Sequence, residues 1–192
     1  METKKEDRRI RRTKRLLKQG LALMMAEKSF NDITVKDITD KVDLNRSTFY
    51  LHYTDTYDLL EKLENDTLDD FQNMIEANTV DENNISLKTV IGAIIDYILE
   101  NPEICRLIFE NKASGDFFVK FKELFERNGI PTIKNKYPHA SQEKIDYYFS
   151  FITYGAIGFL KKWFSDDMAL KKAEVVDFAD GIIDCAAACL KE

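Results

Sequence analysis

The stretch FNDITVKDITDKVDLNRSTFYLHY, Phe30 to Tyr53, constrains this chain more than any other. It holds two short helical periodicities separated by a tight turn. In the first, Val35 to Val42, Ile38 and Val42 lie four apart and share a helix face. Thr34 precedes it, placed to cap the free amides of the first turn. The chain then turns through Asp43 and Leu44, and Asp tolerates the left-handed backbone such turns use. Asn45 can cap a second helix from Arg46 to about His52, with Phe49 and Tyr53 facing inward. Arg46, Ser47, Thr48, Tyr50, Leu51 and His52 are then left to point outward.

Two short helices in this arrangement have the layout of a helix-turn-helix, whose second helix enters the DNA major groove. The outward residues Arg46, Ser47, Thr48, Tyr50 and His52 can all donate hydrogen bonds to phosphates or base edges. The competing reading is a helical corner of an ordinary bundle with polar residues facing water. The pattern of the pair alone does not exclude it.

The surrounding residues are more specific. Leu17, Leu21 and Met24 form a stripe on a preceding helix, followed by Phe30, the ITVKDIT run and the STFYLHY run with Tyr50, His52 and Tyr53; Leu59 and Leu60 open a further helix. From about Thr13 to Leu63 the chain resembles the DNA-binding domain of the TetR family of transcriptional regulators. Three positions depart from the family pattern. Ser29 and Asp43 stand where glycines are usual, and Thr56 stands where a phosphate-binding lysine is often found. The resemblance implies an N-terminal three-helix DNA-binding domain with a helix-turn-helix, residues 1–60. A helical effector-binding and dimerisation domain, residues 61–192, is expected to follow. It also implies DNA contacts from Arg46, Ser47, Thr48, Tyr50 and His52, with Thr34, Lys36 and the Thr56 hydroxyl near phosphates.

Charge is distributed to match. The chain has a net charge of −6, yet residues 1–55 hold 13 basic and 9 acidic residues, while the remainder holds 15 basic and 25 acidic. A positive end on an acidic body orients the molecule toward phosphates and repels wrong docking. Lys4, Lys5, Arg8, Arg9, Arg11, Arg12, Lys14 and Arg15 form a basic run that reads either as a solvated tail or, beside the helix-turn-helix, as a phosphate-contacting arm.

Beyond this end no strongly alternating strand pattern appears, and the expected class is all-α. A fourth helix is expected from about Tyr57 to Ala77, then a polar loop, Asn78 to Asn84. A helix capped by Ser86 should stop at Asn101-Pro102, and a short one through Ile104–Phe109 at Ala113-Ser114-Gly115. Another, Phe117 to Phe125, should be closed by Asn128-Gly129 and Pro131, leaving Ile130–Ala140 as loop or short helix. Two long helices end the chain, about Ser141–Phe164 and Leu170–Leu190, with Asp166-Asp167 read as helix-start acids. The first is apolar on two sides, which requires cover on both. One side is expected to face its own domain and the other a partner copy in a four-helix dimer interface. That interface would use Tyr148, Ile152, Gly155, Phe159, Trp163, Ile182, Ile183 and Ala186. The segment YGAIGFLKKW, Tyr154 to Trp163, adds a weaker C-terminal resemblance to a low-GC bacterial branch of the family.

No enzyme is expected. The only histidines, His52 and His139, are far apart in sequence, and no phosphate loop, CxxC pair or HExxH pattern occurs. No metal and no cofactor are expected, and Cys185 and Cys189 read as small packing residues. The cysteine usage and the lack of a long apolar run point to a cytoplasmic protein without membrane contact. The family resemblance implies an effector pocket in the body, for which Tyr97, Cys105, Phe109, Phe121, Tyr147, Phe151 and Tyr154 are the candidates, although plain core packing competes for each. The expected function is that of a homodimeric, effector-released repressor on a pseudo-palindromic double-stranded operator. Control by a protein partner in place of a small molecule, or an activator role, is the alternative.

Overall fold

The computed structural model describes residues 8–81, 84–110 and 115–191. Among these residues the chain is nearly all helical. The order is α1 (Arg8–Met25), α2 (Val35–Lys41), α3 (Arg46–Tyr50), α4 (Thr56–Ala77), α5 (Leu87–Glu100), α6 (Pro102–Glu110), α7 (Gly115–Lys136), α8 (Gln142–Ser165) and α9 (Lys172–Ala187). Single 3-10 turns occupy Phe30–Asp32 and Ala188–Leu190. Two short antiparallel strands, β1 (Thr79–Asp81) and β2 (Asn84–Ile85), replace most of the expected polar loop, pairing Thr79 with Ile85 and Asp81 with Asn84.

The chain divides into two compact units. The first comprises Met1–Asp66 and Glu103–Ala113, and the second Thr67–Pro102 and Ser114–Glu192. The helix α4 therefore belongs to both, with the division at Asp66 and Thr67. In the first unit the core is made by Leu17, Leu21, Met24, Phe30, Ile38, Phe49, Tyr53, Leu59, Leu60 and Leu63, all buried. The α1 stripe thus has the helical spacing that a single buried face requires. Cys105, Ile108 and Phe109 of α6 are also fully buried in this unit.

In the second unit α5 packs with α9, and α7 and α9 each pack with α8. Phe71 on α4 meets Tyr97 and Phe121 edge-on, with ring centroids 5.4 and 5.9 Å apart. Ile133, Ile145, Tyr148, Phe149, Ala187 and Leu190 form a further apolar cluster. Lys88 to Asp177 at 2.8 Å and Lys172 to Asp96 at 2.6 Å join α5 and α9 at the surface.

Two expectations about helix ends fail for identifiable reasons. The helix expected to close at Asn128-Gly129 continues as α7 to Lys136, with Pro131 inside it. Pro131 has no N–H for the Arg127 carbonyl. Asn128 meanwhile turns its side-chain amide back to the Leu124 carbonyl at 2.8 Å. Gly129 has no left-handed backbone to mark a helix end. Its role is proximity: a Cβ there would sit 2.8 Å from two Phe149 ring carbons, so glycine lets α8 approach α7. Asp166 and Asp167 do not start the last helix either. Asp166 ends α8, and Asp167 and Met168 adopt left-handed φ values of 50° and 55° in the turn that follows. Lys171 and Glu174 open α9 instead, Glu174 accepting from the Lys171 backbone amide at 2.9 Å.

Gly129→Ala is expected to destabilise the fold by about 1–3 kcal/mol, the range for overpacking, despite its better helix propensity. Denaturant unfolding of the single variants and of the Gly129→Ala/Phe149→Leu pair checks this. The pair should recover part of the loss, since the smaller side chain makes room for the methyl group.

Candidate DNA-binding and effector sites

The helix-turn-helix is held from both ends. Thr34 and Asp37 form a capping box on α2: the Asp37 amide donates to the Thr34 hydroxyl at 3.3 Å, and the Thr34 amide donates to the Asp37 carboxylate at 2.8 Å. Lys28 donates to the same carboxylate at 2.8 Å. Lys28, then the Thr34 hydroxyl and amide, hold the Asp37 carboxyl well below its ordinary range. The backbone after α2 turns at Asp43 with φ 53°, as a left-handed turn residue. Asn45 precedes α3, but its side chain makes no capping hydrogen bond. What fixes the short α3 is burial: Phe49 is 0 % and Tyr53 3 % exposed. Sequence inspection passed over Gly20 on α1. A Cβ there would lie 3.0 Å from the Ile38 carbonyl oxygen and 3.0 Å from a Val42 methyl, so glycine lets α2 lie directly on α1.

This packing leaves Arg46, Ser47 and Tyr50 exposed and Thr48 and His52 half-buried, on or just after α3. Tyr50 is 59 % exposed, with its ring edge-on to Phe49. Thr34 and Lys36 are exposed at the start of α2, although the Thr34 hydroxyl also donates to Asp37 at 2.6 Å. Thr56 differs from the expectation of a phosphate-facing hydroxyl, being only 9 % exposed at the first position of α4. The α4 start is capped by Asp55, which accepts from the Asp58 amide at 2.8 Å, while Asp58 accepts from the Thr54 amide at 2.8 Å. Arg8, Arg9, Arg11, Arg12 and Arg15 are exposed on α1, which makes this part of the basic run helical; Lys4 and Lys5 lie outside the described residues.

The second unit encloses a cavity of about 310 Å³. Its walls are Ile75 of α4, Leu87, Val90, Ile91, Ile94 and Ile95 of α5, Phe121, Phe125, Asn128, Gly129, Thr132 and Ile133 of α7, and residues of α8 and α9 from Tyr148 to Ile183. No wall residue carries a charge. Asn128, Thr132, Tyr148 and Thr153 supply its polar groups, and the Thr132 hydroxyl is buried without a hydrogen-bond partner. Of the seven expected pocket residues, Phe121 and Phe151 line this cavity. Tyr97 packs on Phe71 instead. Cys105 and Phe109 are core residues of the first unit, where burial pushes the Cys105 thiol up to about 12. Tyr147 and Tyr154 face outward, 71 % and 56 % exposed. Helical phase explains the last two: they fall on the side of α8 opposite Ile145 and Tyr148.

The expected dimer face needs a matching correction. Tyr148 and Trp163 are buried within their own chain, and the Trp163 indole donates to the Leu170 carbonyl at 3.1 Å. Burial, helped by Tyr137 and Asp184, raises the Tyr148 phenol above its ordinary range. The apolar face that α8 and α9 leave open consists of Tyr147, Phe151, Tyr154, Phe178 and Ile182, interleaved with the exposed Gly155, Gly158 and Gly181. Ile152, Phe159, Ile183 and Ala186 are half-buried beside it. Phe151, Gly155, Phe178 and Ile182 also line the cavity, which therefore opens on this face. Among the described residues no group of three or more His, Cys, Asp or Glu is placed to hold a metal ion. No helix among them is long and apolar enough to cross a membrane.

A helix-turn-helix with a solvent-facing second helix, on a chain that continues into a hollow helical unit, defines the class of helix-turn-helix transcriptional regulators. The family model for the transcriptional regulator C-terminal region matches residues 86–185, just over half of the chain. The chain belongs to the TetR family of transcriptional regulators. It is 39% identical over 61 residues to the uncharacterized HTH-type transcriptional regulator YxbF of Bacillus subtilis (strain 168). That match spans 31% of this chain and 16% of the relative, so the chain covers only a small part of the relative's length. The fold is similar to that of the fatty acid degradation regulator FadR from Bacillus halodurans, with a TM-score of 0.73 at 13% identity over 94% of this chain and 96% of that one. It is also similar to a TetR transcriptional regulator from Streptococcus agalactiae 2603V, with a TM-score of 0.60 at 20% identity over 93% and 97% of the two chains.

The Asp37 cap sets a pH dependence. Its folded carboxyl lies below the ordinary value of 3.8, so its stabilisation is complete above that value. It is lost as pH falls from there through the folded value. Acid unfolding followed by circular dichroism should show Asp37→Asn less stable than the parent at neutral pH, with the difference shrinking below about pH 4.

Proposed function

We propose that this TetR-family regulator is a homodimeric repressor that reads a pseudo-palindromic operator and is released by a small-molecule effector held in the second unit. Residues 1–60 form its DNA-binding domain and residues 61–192 its effector-binding and dimerisation domain. Arg46, Ser47, Thr48, Tyr50 and His52 read the major groove, while Lys36 and the Thr34 end of α2 meet phosphates. Thr56 has no direct role, because its side chain is buried. The observation that carries this reading is the clamped α3, with Phe49 wholly inside and Tyr50 on the open face of the same turn. A short helix held this way presents its polar side as a rigid unit, which base-edge contacts need.

Dimerisation is supported by the open aromatic face of α8 and α9 and by the family's mode of action on operators. A single short recognition helix discriminates weakly. Two of them, one DNA turn (~34–36 Å) or a multiple apart, read two half-sites. The uncharged cavity supports a small-molecule effector over a protein one, since a fully packed body would have favoured the latter. An effector that prefers one spacing of the two recognition helices shifts the population away from the DNA-competent state.

Selection of bound sequences from random duplex should return two related half-sites, and binding should weaken steeply with salt. Tyr50→Ala is expected to cost roughly 1–3 kcal/mol of specific affinity, the scale of a lost base contact, while sedimentation still shows a dimer. Thr56→Ser should bind as the parent does. Unchanged affinity in Tyr50→Ala would remove α3 from the groove.

Tyr154→Glu places a charge on the open face without touching the cavity wall. Sedimentation velocity should show the dimer shifted toward monomer, with operator affinity falling in parallel.

A further inference from the structure

Two of the four polar residues in the cavity wall lie on α7, and one of them is tied to α4. Asn128 lines the cavity on α7 and also forms a reciprocal amide pair with Gln72 on α4. Its Nδ2 donates to Gln72 Oε1 at 3.0 Å, and Gln72 Nε2 donates to Asn128 Oδ1 at 3.4 Å. Arg127 donates to the same Gln72 oxygen at 2.9 Å. One turn along α7, Thr132 also lines the cavity, and its buried hydroxyl has no hydrogen-bond partner. A buried hydroxyl without a partner is costly and gains from a ligand that supplies one.

We infer that the cavity takes an uncharged ligand with an apolar body and a neutral hydrogen-bonding group. That group engages Thr132 and the Asn128 amide and so loosens Asn128 from Gln72, which changes the hold on α4. This rests on the reading that the cavity is the effector site. The charge preference follows from the walls, which offer no Lys, Arg or His to a buried carboxylate and no Asp or Glu to a buried amine. An ion buried there without a partner would be strongly disfavoured. The link to α4 follows from Asn128, which lines the cavity and whose side-chain amide pairs with Gln72. Because α4 runs from Thr56, just beyond α3, through Gln72 to Ala77, a change at Gln72 acts on the helix that continues from the DNA-binding unit.

The test uses the full chain, the uncharged fluorescent probe N-phenyl-1-naphthylamine, and 1-decanol and decanoate as competitors at about pH 8, where the carboxylate is ionised. Decanol is expected to displace the probe, and decanoate to do so at least ~tenfold more weakly. Equal or stronger displacement by decanoate, or none by decanol, overturns the ligand class. Hydrogen exchange of the α4 amides, which needs no operator, reads the coupling. Decanol should change α4 protection in the parent, while Gln72→Ala should still bind the probe yet show no such change. An unaltered α4 in the decanol-bound parent, or the same response in Gln72→Ala, overturns the coupling. Gln72→Met, which keeps the bulk but cannot pair with Asn128 and does not line the cavity, provides an independent variant should Gln72→Ala fold poorly, with the same retained probe binding and loss of response expected. The duplex-selection experiment stands apart, so failure of operator binding is distinguishable from failure of this inference.

Discussion

The close contact of α2 with α1 at Gly20 is the constraint on which the DNA-binding end depends. A helix of seven residues and one of five cannot hold themselves in water. They exist because Ile38, Phe49 and Tyr53 are driven into the same core as Leu17 and Leu21. Gly20 makes that burial possible, since a Cβ there would press on the Ile38 carbonyl oxygen and a Val42 methyl. The polar side of α3 is then exposed as a consequence of which side is buried. The polar face of this helix is a by-product of the packing beneath it.

The second unit applies the same principle to a different end. Gly129 lets α7 and α8 come together against Phe149, while the residues facing Asn128 and Thr132 do not close completely. A cavity walled by isoleucine and phenylalanine with almost no polar surface is a poor host for water, which needs two or more hydrogen-bonding partners. It is a better host for a molecule that brings its own apolar surface. The cavity and the open face of α8 and α9 share residues such as Phe151 and Ile182.

Most helices were legible from periodicity, because a helix buried on one face must repeat its apolar residues every three or four positions. The Leu17, Leu21 and Met24 stripe on α1 is of this kind, while the Thr34 cap was legible from residue type. Helix ends were less legible. Asn128-Gly129 with Pro131 is a stop signal in any local reading, and the chain overrides it because packing against Phe149 rewards a continuous α7. The Asp166-Asp167 pair misled because the turn after α8 puts Asp167 and Met168 in left-handed backbone, where glycine would be conventional.

The amino-acid sequence by itself determined the helical class, the helix-turn-helix with its outward Arg46 and Tyr50, and the charge imbalance that makes this end basic. Each of these is written in residues close together along the chain, or in simple counts. Which aromatics line the cavity, which close the core and which stay on the open face was decided only by tertiary structure. Tyr147, Tyr148 and Phe151 are aromatic near neighbours on one helix, yet Tyr147 is exposed, Tyr148 is buried, and Phe151 is exposed while also lining the cavity. Only the directions from which α7 and α9 approach α8 can tell them apart, and those directions are set by contacts made far away in sequence.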